Sequence, residues 1–277
     1  MQDPSSTKFP AGWNGLAITP PLAWRSYNAQ RGEGLVLNQQ TMQETIEVLR
    51  SRNRSVGDRP TSLWDLGYRT AGIDGGWEFC DHSNKTYHAS NGRPMINTAL
   101  FPNMKALADF SHEREINLGW YQNVCGCMEA EELPQNYVGD VVALHELGFD
   151  AVKYDRCNVQ LNSTLYAELM NATGKSFLIE QCHWGICTND DTSSCPTPSR
   201  DWCPFNFFRC VLQLLHLCVV VPHTQLSDCD NSTGVLCFRT SGDVRETWNS
   251  WTRNLMTTLP FLDESEPLSG PSCWAYP

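Results

Sequence analysis

Gly148–Cys157 reads GFDAVKYDRC, an apolar run that ends on a lysine, an aspartate and a cysteine. With the period-two alternation of a strand, Phe149, Ala151, Lys153 and Asp155 fall on one face, and Asp150, Val152 and Tyr154 on the other. The first face turns from apolar to charged along its length, which suits a short buried strand whose C-terminal end opens into a polar site. In barrels of alternating strands and helices, chemistry sits at such ends, because the rigid strand aims the side chain while the following loop is free to vary. Asp155 is therefore a candidate catalytic carboxylate. Lys153, two residues earlier on the same face, is placed to hold Asp155 ionised and to donate to a ligand oxygen. The competing reading is a surface Lys/Asp pair beside a disulfide cysteine.

Outward from this segment, strands and helices alternate. Thr19–Asn28 (TPPLAWRSYN) reads as a short strand approached through two prolines. Asn38–Arg50 reads as an amphipathic helix with Met42, Ile46 and Leu49 on its apolar face. Leu66–Trp77 (LGYRTAGIDGGW) is a second strand ending on Asp74, and the two glycines after it point to a close backbone approach. Phe101–Arg114 is a helix with Met104, Leu107, Ala108 and Phe110 inward, and Ile116–Asn123 a third strand ending on Tyr121. Gly139–Leu147 is the helix that feeds the Asp155 strand. Leu165–Ala172 is the next helix, and Ser176–Gln181 a further strand with a polar end at Cys182–Trp184. The alternation predicts an α/β fold with a parallel sheet, either a barrel or an open doubly wound sheet. No G-x-G-x-x-G loop follows any strand, which argues against a dinucleotide site.

The later chain is less regular. Asp201–Arg209 reads as a strand approach, and Arg239–Asp243 (RTSGD) leads into a helix over Val244–Asn254. Between them the chain is first apolar and then polar, a connection longer than compact domains usually carry. The longest apolar run, Val211–Pro222, is too short to span a bilayer, so no membrane partner is expected.

The 277 residues exceed the roughly 250 that a (β/α) barrel normally takes. A net charge of −11 without a basic tract argues against a nucleic-acid surface. Ten tryptophans and eight tyrosines are many for this length, and such rings often line carbohydrate sites, although most belong to the core by default. Thirteen cysteines, with sequons at Asn53, Asn84, Asn162, Asn171 and Asn231, point to an oxidising secretory compartment. The odd count leaves at least one thiol unpaired or paired outside the chain. The first residues, MQDPSSTKFPAGWNG, contain no apolar signal-peptide core.

Asp243 follows Arg239 by four residues and precedes a helix, so it too is a candidate for a strand's C-terminal mouth. Two carboxylates delivered from separate strand ends are what a retaining glycosidase requires, one to attack the anomeric carbon and one to protonate the departing oxygen. A neighbouring lysine and arginine would tune the two differently.

The ordered segments TPPLAWRSYN, LGYRTAGIDGGW, FPNMKALADF with LGWYQN, VKYDRC, CHWG and RTSGDV resemble the α-galactosidase (melibiase) family, glycoside hydrolase family 27, across nearly the whole chain. The resemblance implies a (β/α)8 TIM-type barrel and retaining hydrolysis of terminal α-D-galactosides through a covalent glycosyl-enzyme, with no metal or organic cofactor. On it, Asp155 matches the nucleophile and Asp243 the general acid/base. Lys153 and Arg239 match residues that hydrogen-bond the sugar, and Trp24, Asp74 and Tyr121 match parts of its pocket. Cys157 matches a cysteine bridged to the loop after the third strand, which makes Cys125 or Cys127 its partner. Such a protein would take a carbohydrate as partner, would be secreted or lysosomal/vacuolar, and is compatible with a homodimer.

The sequence also departs from the family. Gly75 follows Asp74 where the family has a second aspartate, Tyr27 stands for a second tryptophan, and His183 for a glutamate that reads the 2-hydroxyl. These changes leave an α-N-acetylgalactosaminide or a β-L-arabinopyranoside as alternative substrates of the same mechanism. Residues 210–238 look like an insertion, a retained intron or a lineage-specific loop, flanked by a repeated Phe-Arg. The end, GPSCWAYP, stands where the family continues into its last barrel strand and a C-terminal β-sandwich. The expectation is therefore one incomplete barrel domain over 1–277, with a catalytically inactive truncated member as a further alternative.

Overall fold

Short apolar runs separated by amphipathic helices build a parallel sheet here, because each strand is delivered beside the previous one by a crossover helix. The computed structural model describes residues 14–32, 34–182, 237–239, 247–258 and 274–276. The chain divides into two units, one of Pro21–Leu161 with Glu168–Leu178 and the other of the remaining residues.

In the first unit the elements run β1 (Leu22–Arg25), α1 (Tyr27–Gly32), α2 (Gln39–Arg50), a hairpin of β2 (Ser55–Val56) and β3 (Arg59–Pro60), β4 (Tyr68–Gly72), α3 (Met104–His112), β5 (Asn117–Gln122), α4 (Pro134–Leu147) and β6 (Ala151–Asp155). Strands β1, β4, β5 and β6 pair in parallel in that order. The register sets Trp24 opposite Ala71, Gly72 opposite Gly119, and Tyr121 opposite Lys153.

Each helix starts where its sequence supplies a cap. Asn38 accepts from the Thr41 amide while the Thr41 hydroxyl accepts from the Asn38 amide, and Met42, Ile46 and Leu49 are buried at the spacing read from the sequence. Asn103 caps α3, which buries Met104, Leu107, Ala108 and Ser111; Phe110 is half-buried under the Arg114 guanidinium. Helix α4 begins at Pro134, five residues before the expected Gly139, because proline suits the first turn, and it ends on Gly148 at φ +87°. The first strand is shorter than expected, since Tyr27 already opens α1.

Every residue of β6 is buried, so its two faces differ in what they meet and not in exposure. On one face a Cβ at Gly119 would touch Gly72, Ala151 and Thr70, which makes this level of the sheet a floor of small residues. The Arg25 guanidinium lies over Gly72, where a Cβ would come within 2.9 Å of Cζ, and donates to Ile73 O at 3.1 Å. Behind β5, Trp120 stacks on Phe149 with centroids 4.7 Å apart and meets Trp77 at 4.6 Å. Fully burying side chains of this size stabilises by about 1.5–3 kcal/mol each.

Gly92 and Gly139 bring a loop against α4 main chain to main chain. A Cβ on Gly92 would overlap Gln135 O, and one on Gly139 would overlap Gly92 O.

Strands β7 (Leu178–Cys182, in the second unit from Ile179 on), β8 (Cys237–Arg239) and β9 (Trp274–Tyr276) are parallel, with Glu180 opposite Cys237 and Cys237 opposite Trp274. Helix α5 (Ser163–Ala172) precedes β7, and α6 (Trp248–Thr258) follows β8, starting four residues after the expected Val244. Apart from Cys237 and Phe238, the expected insertion 210–238 lies outside the described residues, as does the strand approach 201–209. Among the described residues no helix is long and apolar enough to cross a membrane.

Candidate active site

Two residues beyond the small-residue floor, the same strands carry polar side chains. Tyr121 and Lys153 face each other across β5 and β6, Asp155 ends β6, and Asp74 stands two residues past β4. The period of two makes this inevitable: the face that is glycine and alanine at one level becomes the site at the next.

Lys153 Nζ lies 2.8 Å from Asp74 Oδ2 and 3.9 Å from Asp155 Oδ2. Lys153 is thus the neighbour of Asp155 that the strand face predicts, but its closer partner is Asp74. The Tyr121 hydroxyl donates to Asp155 Oδ2 at 2.9 Å, and the Arg156 amide donates to Oδ1 at 2.7 Å. Both oxygens of Asp155 therefore accept hydrogen bonds, an arrangement that favours the ionised carboxylate. Asp74 is held through its backbone, whose amide donates to Ser26 Oγ at 2.9 Å, and its Oδ1 accepts from the Gly75 amide. Lys153 Nζ also sits 4.9 Å from the Tyr121 ring centroid and 5.4 Å from that of Tyr27. The side chains of Lys153, Asp74 and Asp155 are 8%, 5% and 6% exposed, so charges this dry are stable only as a mutually compensated group.

Of the two partners left open for Cys157, the bridge is to Cys125, while Cys127 joins Cys80. The Tyr121 hydroxyl lies 2.9 Å from Cys125 Sγ, so the bridge and the Asp155 carboxylate meet at one phenol. The donor atoms of Cys125, Asp155 and Cys157 lie within 4.8 Å of one another. With both sulfurs spent in the bridge, they offer a metal no thiolate.

The structure thus brings together Tyr27, Asp74, Tyr121, Lys153 and Asp155. Trp24 is half-buried on β1 opposite Ala71, and among the described residues none of the hydrogen bonds and ring contacts that join this cluster comes from it. Arg239 ends β8, with its side chain outside what is described; His183 and Asp243 lie outside the described residues.

Several participants escaped the sequence reading. Glu78 accepts from the Gly76 amide at 2.8 Å, and its burial, reinforced by the Asp74 charge, pushes its carboxyl above the ordinary glutamate range. Its place directly after DGGW was the available signal. Asn123, at φ +57°, and Asn158 bond the loops after β5 and β6 to each other. Further back, His88 Nδ1 lies 2.7 Å from Glu129 Oε1 and Nε2 3.1 Å from Asp140 Oδ1. Separations of 41 and 52 residues left no local pattern to read.

The sequence model of the family described as alpha galactosidase A (Melibiase_2) matches residues 38–212. An alpha-galactosidase of rice (Oryza sativa subsp. japonica) is 30% identical over 181 residues, covering 62% of this chain and 39% of that protein. Alpha-galactosidase 2 of Arabidopsis thaliana is 24% identical over 249 residues, covering 86% and 48%. The chain spans about two-fifths to half the length of these curated relatives. Among solved structures, alpha-galactosidase I from Mortierella vinacea matches with a TM-score of 0.62 at 18% identity, over 95% of this chain and 59% of that one. A GH27 β-L-arabinopyranosidase from Geobacillus stearothermophilus matches at 0.59 and 13% identity, over 94% and 60%. These likenesses show the fold, the α/β barrel class that the family resemblance implied and one of the two architectures that the alternation of strands and helices left open.

Proposed function

The chain belongs to the alpha galactosidase A (melibiase) family, glycoside hydrolase family 27, and on that premise we propose that it contributes the nucleophile side of a retaining glycosidase that removes terminal α-D-galactose. The observation that carries the proposal is Asp155: a carboxylate at a strand's C-terminal end, with Tyr121 and the Arg156 amide donating to its two oxygens and an ammonium 3.9 Å away.

In this reading Asp155 attacks the anomeric carbon while the second carboxylate, assigned to Asp243, protonates the leaving oxygen. Water, deprotonated by the same second carboxylate, then releases the sugar from Asp155. The Tyr121 donor holds Asp155 ionised and oriented before attack and is left to the carbonyl oxygen of the ester afterwards. Lys153 and Asp74 offer sugar hydroxyls a donor and an acceptor, and Tyr27 and Trp24 offer ring faces for its C–H groups. Arg239 and His183 complete the sugar contacts. Carboxylates supply all the chemistry of this route, which calls for no cofactor. Two disulfides fit passage through a secretory or vacuolar compartment.

One observation favours keeping a second sugar in view. A Cβ on Gly75 would meet only the Tyr121 ring, at 3.4 Å, so the backbone does not demand glycine there, and the space beside Asp74 is left to the ligand. An α-N-acetylgalactosaminide or a β-L-arabinopyranoside would use the same machinery.

A panel of aryl glycosides, with a galactose-configured cyclitol epoxide followed by peptide mass mapping, tests both readings. Turnover highest on the α-galactoside and an adduct on Asp155 are expected. An adduct on another residue overturns the nucleophile assignment, higher turnover of another glycoside overturns the sugar, and a chain inert to all of them is the inactive family member.

A further inference from the structure

Asn123 follows β5 directly and has a left-handed backbone, φ +57°, which few residues besides glycine, asparagine and aspartate adopt readily. It is fully buried, and its side chain is bonded at both ends. Nδ2 donates to the main-chain oxygen of Asp155 and, at 3.3 Å, to that of Asn158; Oδ1 accepts from the Gln160 amide at 3.1 Å. Asn158 reciprocates. Its Nδ2 donates to Val124 O at 3.3 Å and Cys127 O at 2.7 Å, and its Oδ1 accepts from the Glu129 and Val159 amides, each at 2.9 Å. The loop after β5 and the loop after β6 are thereby laced together by two asparagines, in addition to the Cys125–Cys157 bridge.

We propose that Asn123 is a positioning residue for Asp155, fixing the peptide plane that leaves the nucleophile and so the direction of its carboxylate. The proposal rests on the reading of Asp155 as nucleophile. Asn123 holds the carbonyl of Asp155 itself, whereas the disulfide joins the loop only two residues later. Among glycine, aspartate and asparagine, asparagine alone meets both demands at this position, the backbone angle and a donor for the two carbonyls. Glycine accepts the backbone angle but brings no donor, and aspartate accepts it but turns an oxygen toward two carbonyls. Glutamine and the β-branched residues fit the angle poorly. A displacement of about 1 Å at a reacting group costs on the order of 100-fold in rate, so a small loss of lacing has a large effect on turnover.

The test compares Asn123→Gly, Asn123→Asp and Asp155→Asn in the full chain, with kcat and KM on an aryl α-galactoside and amide hydrogen exchange across 156–160. Both Asn123 variants are expected to lose about 100-fold in kcat with KM within about twofold. They are also expected to exchange 156–160 at least about tenfold faster while α2 and β4 keep their protection. Asn123→Gly keeps the backbone angle, so a role confined to that angle predicts native kcat for it. Native exchange of 156–160 in both variants, or native kcat in either, overturns the proposal. Turnover surviving in Asp155→Asn overturns the nucleophile reading instead, and in a chain without turnover the exchange of 156–160 decides.

Discussion

Lys153 between Asp74 and Asp155, and His88 between Glu129 and Asp140, are the same composition twice: one cation and two carboxylates, each side chain at most 8% exposed. His88 spends both ring nitrogens, at 2.7 Å and 3.1 Å, and its ring rests 4.0 Å from that of Tyr87. Burial alone would lower the His88 pKa, but the hydrogen bonds and charges of Asp140 and Glu129 outweigh it and lift the value to about 9. Lys153 is placed unequally, 2.8 Å from one carboxylate and 3.9 Å from the other, on a long stem between two tyrosine rings. The imidazole is hydrogen-bonded to a carboxylate on each side, at 2.7 Å and 3.1 Å, which makes it a strut between the loop of His88 and helix α4. On the proposed reading of Asp155 as nucleophile, that inequality lets the ammonium answer the charge on Asp155 as it is consumed and restored. Burial and ion pairing are common to the two clusters; position at strand ends, and inequality among the pairs, belong to the Lys153 cluster alone.

The sharpest way to break this contrast is to neutralise one carboxylate of each cluster. Asp155→Asn is expected to cost on the order of 10⁴-fold or more in kcat with the folded state intact. Asp140→Asn is expected to keep kcat in the folded fraction and to lower the urea-derived unfolding free energy by about 3 kcal/mol. The reverse pattern would exchange the two roles.

The pH dependence of stability probes the strut alone. With a folded value of about 9 above the reference value of 6.5, protonated His88 stabilises the fold in full below pH 6.5. That contribution, up to about 3 kcal/mol, is lost as pH rises from 6.5 through 9. A His88→Gln chain should lack this slope in urea titrations, and an equal slope in both would refute the strut.

A smaller effect separates donor from cation at the strand ends. Tyr121→Phe removes the hydroxyl 2.9 Å from Asp155 Oδ2 and is expected to lower kcat/KM about tenfold. The acid limb of the pH profile should also move to higher pH, because the lost donor favoured the ionised carboxylate. An unchanged profile would leave Lys153 as the group that governs Asp155.

Much of the strand-end cluster was legible because strands repeat every two residues: once GFDAVKYDRC was a strand, Lys153 and Asp155 had to share a face. Asp74 and Tyr121 followed from the same rule on neighbouring strands. The preference of Lys153 for Asp74 was not legible, since a 79-residue separation is set by sheet order and not by local pattern. The His88 strut and the Asn123 lacing were hidden for the same reason. Boundaries slipped where caps overrule periodicity, at Pro134 and at Tyr27. The second carboxylate, Asp243, was read from motif order and lies outside the described residues.

The contact between Gly92 and Gly139 closes off a route of sequence drift. Each glycine is hemmed in by the other segment's main chain, Gly92 by the carbonyl of Gln135 and Gly139 by that of Gly92 itself. An added methyl at either position meets a peptide group, which no exchange of a neighbouring side chain can shrink. Compensatory evolution, which usually rescues an overfilled core by trimming the opposing residue, has nothing to trim here. Gly139 lies beside Asp140, so the loop that carries His88 and the helix that answers it are constrained twice, by the buried ion pair and by these two hydrogens.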